Sequence, residues 1–357
     1  MQITRPTFVV NKKQCVQNIA KIYSKTFAHQ LIFRPHFKTH QSQEVGKWFQ
    51  DFGVECITVS SVEMAVFFAQ NGWKDITIAF PFNILEINAV NSINAEVQIN
   101  LLVDSYETAL FLTNNLTKKV GIFIEIDLFY GRSGILPSEI TQISEIASLI
   151  SESQIADFKG FLIHAGNTYT AETKAEVLAI HAKNLQHIKA LKLEFQQKYK
   201  SIIVSYGDTP TASLANDFEG IDELRPGNFV YYDLMQQKIG SCFRTEIACS
   251  VLAPVVRIKR ELGEIVLHSG AVHLSKDYIL SPDGAKNFGE VYFVANDYKT
   301  IYYNSKAIIY SVSQEHALAK CDAEFAKKVK IGDLLAILPI HSCLTANLMK
   351  NNQIILA

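Results

Sequence analysis

Arg34-Pro35-His36-Phe37-Lys38-Thr39-His40 sets a lysine between two histidines, just beyond the apolar run Leu31-Ile32-Phe33. An amine at a strand end can act as nucleophile or base when burial and nearby cationic or polar groups lower its pKa. A solvated surface lysine is the ordinary reading of an isolated one, so the rest of the chain has to supply the context. A second chemically able stretch is Pro339-Ile340-His341-Ser342-Cys343. In an extended segment, side chains two apart share a face. His341 and Cys343 can therefore hold one side of a Zn2+ and leave positions open for water or substrate. His316, in Ser313-Gln314-Glu315-His316, is the further histidine expected near the metal or the substrate.

Four other stretches carry polar groups. His164-Ala165-Gly166-Asn167-Thr168-Tyr169 puts a histidine and a tyrosine around a glycine turn; a histidine on an apolar strand is also a common core residue. Arg132, in Tyr130-Gly131-Arg132-Ser133-Gly134, is bracketed by glycines that let the backbone approach a ligand. It can equally pair with Asp127 or Glu125. Gly207-Asp208-Thr209-Pro210-Thr211 offers backbone N–H groups, two hydroxyls and a helical start. That combination suits a phosphate, although ordinary loops share it. Gly227-Asn228 adds N–H donors at a turn.

These positions matter only if strands end beside them. From residue 7 to about 225, short apolar runs alternate with amphipathic ones, and the spacing predicts strands at 7–10, 31–33, 56–59, 76–79, 97–102, 121–126, 158–164, 202–205 and 221–224. Ser60-Ser61-Val62-Glu63 and Asp104-Ser105-Tyr106-Glu107 place a capping residue three positions before a glutamate, a helix-start signature. About eight strand–helix units predict an α/β fold with a closed parallel (β/α)8 TIM-like barrel. An open doubly wound sheet is the alternative, but no GxGxxG follows the first strand. Barrels gather functional residues at the C-terminal ends of strands, where Lys38, Arg132, His164, Tyr169, Thr209 and Gly227-Asn228 fall. Beyond about residue 236, β-branched and aromatic runs separated by turns such as Pro282-Asp283-Gly284 predict a mostly antiparallel β domain. The expected division is 8–236 for the barrel and 237–357 for the β domain, with residues 1–7 able to join the latter.

Composition narrows the partners. The chain has 357 residues, enough for a large core and two domains. Its 34 Lys+Arg against 35 Asp+Glu give a formal net charge of −1. Without a basic face or tail, neither nucleic acid nor an anionic membrane is an expected partner, and a small molecule is. No apolar run approaches the roughly 18 residues of a membrane span, and the first residues show no secretory pattern. Cysteines at 15, 56, 242, 249, 321 and 343 lack CxxC spacing, so a reducing cytoplasm is the expected compartment.

Together these motifs resemble the D-threonine aldolase/D-serine dehydratase family of pyridoxal-phosphate enzymes, which share the alanine-racemase-like fold. The likeness rests on residues 34–40, on Glu125-Ile126-Asp127 running into Gly131-Arg132-Ser133-Gly134, and on residues 164–169. It continues through 207–211, Glu223-Leu224-Arg225-Pro226-Gly227-Asn228 and His341-Ser342-Cys343, in family order over nearly the whole chain. The resemblance implies pyridoxal 5'-phosphate carried by Lys38 as an internal Schiff base, with Thr209, Gly227 and Asn228 at its phosphate. It implies Tyr169 and Arg132 as partners of the ring or its 3-oxygen, and His164 packed close by. It implies a divalent metal beside the cofactor on His341 and Cys343, with Zn2+ favoured by the thiolate and Mn2+ as the other choice. A homodimer is also implied, the β domain of one subunit closing over the barrel of the other. The implied reaction is β-elimination from a D-β-hydroxy amino acid, such as D-serine, to a 2-oxo acid and ammonia. The alternative at the same site is D-threonine aldolase-type cleavage to glycine and an aldehyde. His-x-Cys, rather than the His-x-Asp of well-known aldolases of the family, favours dehydration. A racemase would need a second base opposite Lys38, and a small pyridoxal-phosphate carrier would lack the β domain.

Overall fold

Residues 3–357 are described by a computed structural model, in which 20–227 and 3–19 with 228–357 form two units. The first elements are strand β1 (Thr7–Asn11) and helix α1 (Lys12–Ala28). Eight parallel strands follow: β2 (Ile32–Phe33), β3 (Cys56–Val59), β4 (Asp75–Pro81), β5 (Gln98–Val103), β6 (Val120–Ile126), β7 (Ala156–His164), β8 (Ile203–Gly207) and β9 (Glu223–Leu224). Between them run α2 (Gln43–Gln50), α3 (Val62–Gln70), α4 (Ile87–Ser92), α5 (Tyr106–Asn115), α6 (Ile140–Glu152), α7 (Lys174–Gln196) and α8 (Thr209–Leu214). The helices α3 and α5 start at Val62 and Tyr106, and only their caps lie one residue later than the glutamate spacing suggests. Ser61 accepts the Met64 N–H and Ser105 accepts the Thr108 N–H, so each cap is the second residue of its tetrapeptide.

The sheet runs β2-β9-β8-β7-β6-β5-β4-β3. Its two edges meet through a parallel bridge between His36 and Thr58, with Phe37 N–H donating to the Thr58 carbonyl at 2.8 Å and Thr58 N–H to Pro35 at 2.9 Å. The expected eight-stranded parallel barrel is therefore present, built without the run at 7–10. That run becomes β1 and joins the other sheet, pairing antiparallel with residues 249–252. Its residues Thr7 to Val10 are all buried, and a run buried on both faces reads alike in either kind of sheet.

The second unit holds β10 (Cys249–Lys259), β11 (Glu264–His268), β12 (Ile279–Leu280), β13 (Lys286–Asn287), β14 (Gly289–Val294), β15 (Ile301–Val312), β16 (His316–Cys321), β17 (Leu334–Pro339) and β18 (Gln353–Leu356). Apart from the small β12–β13 pair, they order as β11-β16-β15-β14-β17-β10-β1-β18, and β10 also pairs with β11. A bulge between Val255 and Arg257 lets β10 follow β17 along its first half and β11 along its second, which closes the antiparallel sheet on itself. Four short helices decorate it: α9 (Leu234–Ile239), α10 (Ala271–Leu274), α11 (Ala323–Lys328) and α12 (Ser342–Leu348). They are too short to show a helical period in the sequence. The expectation that residues 1–7 join this domain falls in part on residues 1 and 2, which lie outside the described residues.

Within the parallel barrel, apolar Leu102, Phe123 and Leu162 cluster, and a buried polar chain runs alongside. Arg34 clasps Asp75 through two nitrogens, at 2.6 and 3.0 Å, and donates its Nε–H to Glu223. Glu223 accepts the Ser205 hydroxyl, and Arg225 donates to Ser205 Oγ and to the Ile163 carbonyl, each at 2.6 Å. The network ties β2, β7, β8 and β9 to Asp75, the first residue of β4. Because removing one partner strands the other charge, Glu223→Ala should cost about 3–5 kcal/mol in equilibrium urea unfolding. A loss below about 1 kcal/mol, the range of exposed pairs, would show that the network is not a buried unit.

Candidate active site

Lys38 is exposed, while its neighbours from Phe33 to Phe37 and from Thr39 to His40 are buried. Phe37 roots the segment. Its ring is fully buried, with centroids 5.0 Å from Trp73 and 5.1 Å from both Phe49 and Phe68. His40 belongs to the same aromatic box, 4.4 Å from Phe37, with its Nδ1 accepting the Ser42 N–H. Burial lowers its pKa to about 3, so the second histidine of the motif is a neutral core residue. His36 differs. Burial and then the charges of Lys38 and Arg225 hold it well below the ordinary histidine range, which places these cations around it.

His164 ends β7, and its Nδ1 lies 2.8 Å from the Gly207 carbonyl. A carbonyl only accepts, so Nδ1 carries the proton and Nε2 presents a lone pair. Burial, then Lys38 and Arg132, lower its pKa to about 3. Two uncharged imidazoles thus share their surroundings with Lys38, Arg132 and Arg225. Arg132 itself is half-exposed, with a terminal nitrogen 3.9 Å from Glu125 and its guanidinium 5.6 Å from the centre of the Tyr130 ring. Asp127 does not pair with it. The Asp127 carboxylate instead accepts the N–H groups of Tyr130 and Gly131 at 2.8 and 2.9 Å, shaping the loop.

The turn after β8 is joined to the turn after β7. Tyr169 Oη accepts the Thr209 N–H at 3.1 Å, and Asp208 Oδ2 accepts the Thr168 hydroxyl at 2.9 Å and the Thr211 N–H at 2.6 Å. Burial raises Asp208 to about 6. Thr209 Oγ1 is buried without a hydrogen-bond partner. An orphaned buried hydroxyl is costly, and a phosphate oxygen would satisfy it. At Gly227 a Cβ would come within 2.9 Å of the His36 carbonyl oxygen, so only glycine lets the backbone pass there. These residues fit a phosphorylated, aldehyde-bearing cofactor.

His341 and Cys343 lie in the other unit, and not on an extended strand as the spacing suggests. His341 caps α12 in extended geometry, and Cys343 sits in the first helical turn. Their side chains still meet. Burial disfavours the charge, but hydrogen bonds to Asp277 and Cys343 outweigh it and push His341 up to about 10. A metal would take the place of that proton, so an imidazole nitrogen and a thiolate sulfur form a suitable donor pair. Among the described residues, no group of three or more histidine, cysteine or acidic side chains is assembled to hold a metal. The Asn228 amide donates to Asp233 at 2.6 Å, Ser342 at 3.0 Å and Cys343 Sγ at 3.5 Å; its side chain faces the thiol. His316 is exposed opposite His268 in the β11–β16 ladder.

Residues 10–234 match the family model described as alanine racemase, N-terminal domain, and residues 248–355 match the putative serine dehydratase domain. The chain belongs to the alanine racemase-like family that includes D-serine dehydratases and D-threonine aldolases. It is 28% identical to a D-serine dehydratase of Dictyostelium discoideum, over 99% of this chain and 93% of that one. It is 26% identical to the D-threo-3-hydroxyaspartate dehydratase of Delftia sp. (strain HT23), over 97% of this chain and 92% of that one. The solved structure of the latter gives a TM-score of 0.87 at 25% identity, covering 97% of this chain and 93% of its own. D-threonine aldolase from Filomicrobium marinum shares the fold at 16% identity, with a TM-score of 0.84 and coverage of 97% and 89%.

Within this alanine racemase-like frame, sequence motifs located Lys38, His164 and Tyr169 at strand ends but overlooked Asp208, Thr168 and Asp277. Asp208 was visible as a helix-capping residue before Thr-Pro. Asp277 had no local signal.

The titrations fix a pH dependence. His40 and His164 stay neutral down to about 3, and His36 is also held low, whereas unfolded histidine protonates near 6.5. Their contribution is fully present above pH 6.5 and is lost as the pH falls. Asp208, raised from 3.8 to about 6, works the other way and offsets one proton. Unfolding free energy should therefore fall between pH 6 and 4, by roughly 1.4 kcal/mol per pH unit for each net proton. Urea titrations across that range check it, and His40→Phe should flatten the slope by one proton.

Proposed function

We propose that this chain is a lyase acting on D-β-hydroxy amino acids, removing water across Cα and Cβ so that the resulting enamine hydrolyses to a 2-oxo acid and ammonia. The observation that carries the reading is Lys38, exposed at the end of β2 and sharing its surroundings with the neutral imidazoles of His36 and His164. The similarity to two dehydratases over almost the whole chain supports it. In this reading Lys38, Arg132, His164, Tyr169, Thr209, Gly227 and Asn228 hold pyridoxal 5'-phosphate, and His341 and Cys343 hold a divalent metal. Pyridoxal phosphate supplies an electron sink for charge left at Cα. The metal supplies a Lewis acid for the hydroxyl oxygen.

The chain's own groups then have defined tasks. Lys38 Nζ would hold the cofactor and would serve as the base for the Cα proton. His164 offers Nε2 as a hydrogen-bond acceptor and adds no positive charge. Tyr169 Oη accepts the Thr209 N–H, which ties the tyrosine to the phosphate-binding turn. Thr209 Oγ1 gives its hydrogen bond to the phosphate. The thiolate of Cys343 favours Zn2+, the cysteines, none in a disulfide among the described residues, suit a reducing cytoplasm, and the assembly is proposed as a homodimer on family resemblance.

Incubating the metal-replete protein with D-threonine tests the reaction. The expected products are 2-oxobutanoate and ammonia, abolished by Lys38→Ala and by a chelator. Glycine with acetaldehyde would instead assign retro-aldol chemistry. D-serine and 3-hydroxy-D-aspartate, assayed in parallel, rank the tolerated Cβ substituents.

A further inference from the structure

His341 is held from behind by a residue far away in the chain. Asp277 Oδ2 lies 2.8 Å from His341 Nδ1 across 64 residues of sequence. A carboxylate there accepts the Nδ1 proton, so an imidazole that has lost its other proton must present its lone pair on Nε2. Rotating the ring to expose Nδ1 would break that bond. The segment that delivers Asp277 is itself strained: Ser275 has φ 72° and ψ −173°, a region populated almost only by glycine. The conformation is retained because neighbours over-determine it. Ser275 N–H donates to Ala271 at 2.9 Å, Asp277 N–H donates to Ser275 Oγ at 3.1 Å, and the Thr345 hydroxyl of α12 donates to the Leu274 carbonyl at 3.4 Å. Strain kept two residues before a carboxylate that meets an imidazole points to a functional contact.

The thiol side is built similarly. Asn228 donates to Cys343 Sγ, and Asp233 holds Asn228 in place while also accepting the Ser342 N–H at 2.9 Å. Asn228, Asp233 and Ser342 are all buried. Asp233 also caps α9 by accepting the Gln236 N–H, which gives this couple a structural task besides. Asp277 is the cleaner probe, because it lies outside every helix and strand.

We infer that Asp277 is a positioning residue for the metal: it fixes the tautomer and direction of His341, and Asn228 does the corresponding work for Cys343. The inference rests on the reading that His341 and Cys343 bind a divalent cation. Outer groups of this kind set metal affinity through the ligand they orient.

The test uses full-length protein stripped with a chelator and titrated with Zn2+ against a chromophoric competitor. Asp277→Ala should weaken Zn2+ binding roughly 10–100-fold. Asp277→Asn, which can still accept from Nδ1 but without charge, should fall between it and the wild type. The metal-free Asp277→Ala protein, having lost its hydrogen bond to His341, should melt somewhat below the wild type, and the Zn2+-induced rise measured from each protein's own metal-free value should shrink. With Co2+, the saturated variants should keep the thiolate charge-transfer band and the shape of the ligand-field bands. Zn2+ affinity in Asp277→Ala equal to wild type would overturn the inference. Altered ligand-field bands at saturation would also overturn it, making Asp277 a direct ligand. Wild-type protein whose Zn2+ binding is absent, or insensitive to Cys343→Ala, would instead remove the underlying reading.

Discussion

Burial of the Phe37 ring decides where Lys38 can be. The ring fills a box made by Phe49, Phe68, Trp73 and His40, and truncating an aromatic side chain in such a core costs about 3–5 kcal/mol. The same residue donates its N–H to Thr58, the contact that joins the first and second strands of the parallel barrel. One residue thus anchors the core through its ring and the closure of the sheet through its backbone, and the reactive amine occupies the next position along the chain. The two flanking histidines divide accordingly. His40 packs inward with the anchor, while His36 stays within the electrostatic reach of Lys38 and Arg225.

Charge is arranged around that amine at two depths. Below it, Arg34 and Arg225 are bound up with Asp75, Glu223 and Ser205, so their positions are fixed before any ligand arrives. At the strand ends, His36 and His164 are kept uncharged by burial and by neighbouring cations. A cluster of bases that adds little net charge suits chemistry on an anionic cofactor, because hydrogen bonds can be made without building a deep electrostatic trap. The His341–Cys343 pair solves a different problem. There the imidazole makes one hydrogen bond to Asp277 and a separate one to Cys343, which keeps two donors together.

How much of this could be read from the chain depends on distance along it. Strand–helix alternation gave the barrel, and strand-end position brought Lys38, His164, Tyr169 and Thr209 to attention, because each signal spans only a few residues. The run at 7–10 was assigned to the barrel since its apolar residues fit either sheet. Strand β16, His-Ala-Leu-Ala-Lys-Cys, was missed because it lacks the β-branched and aromatic residues that mark strands. The short helices of the β domain were missed for want of length, and the spacing of His341 and Cys343 suggested a strand where a helix begins. Asn228 was read through its backbone, whereas its side chain serves Cys343. Asp277 illustrates the limit, because only the folded antiparallel sheet brings it to His341.

The pairing of β1 sets an order of folding. Phe8 lies beside Gln353 and Asn11 beside Leu356, while the other edge of the same strand pairs with β10. The parallel strands from β2 to β9 lie in one uninterrupted stretch and can pair as synthesis proceeds. β1 is made before all of them, yet its partners are made after all of them. During translation Thr7-Phe8-Val9-Val10 is thus an apolar strand with both edges open, the kind of segment most prone to wrong pairing. Such a long sequence separation also slows closure. Capture of the earliest strand by the latest ones is the step on which completion of the antiparallel sheet waits.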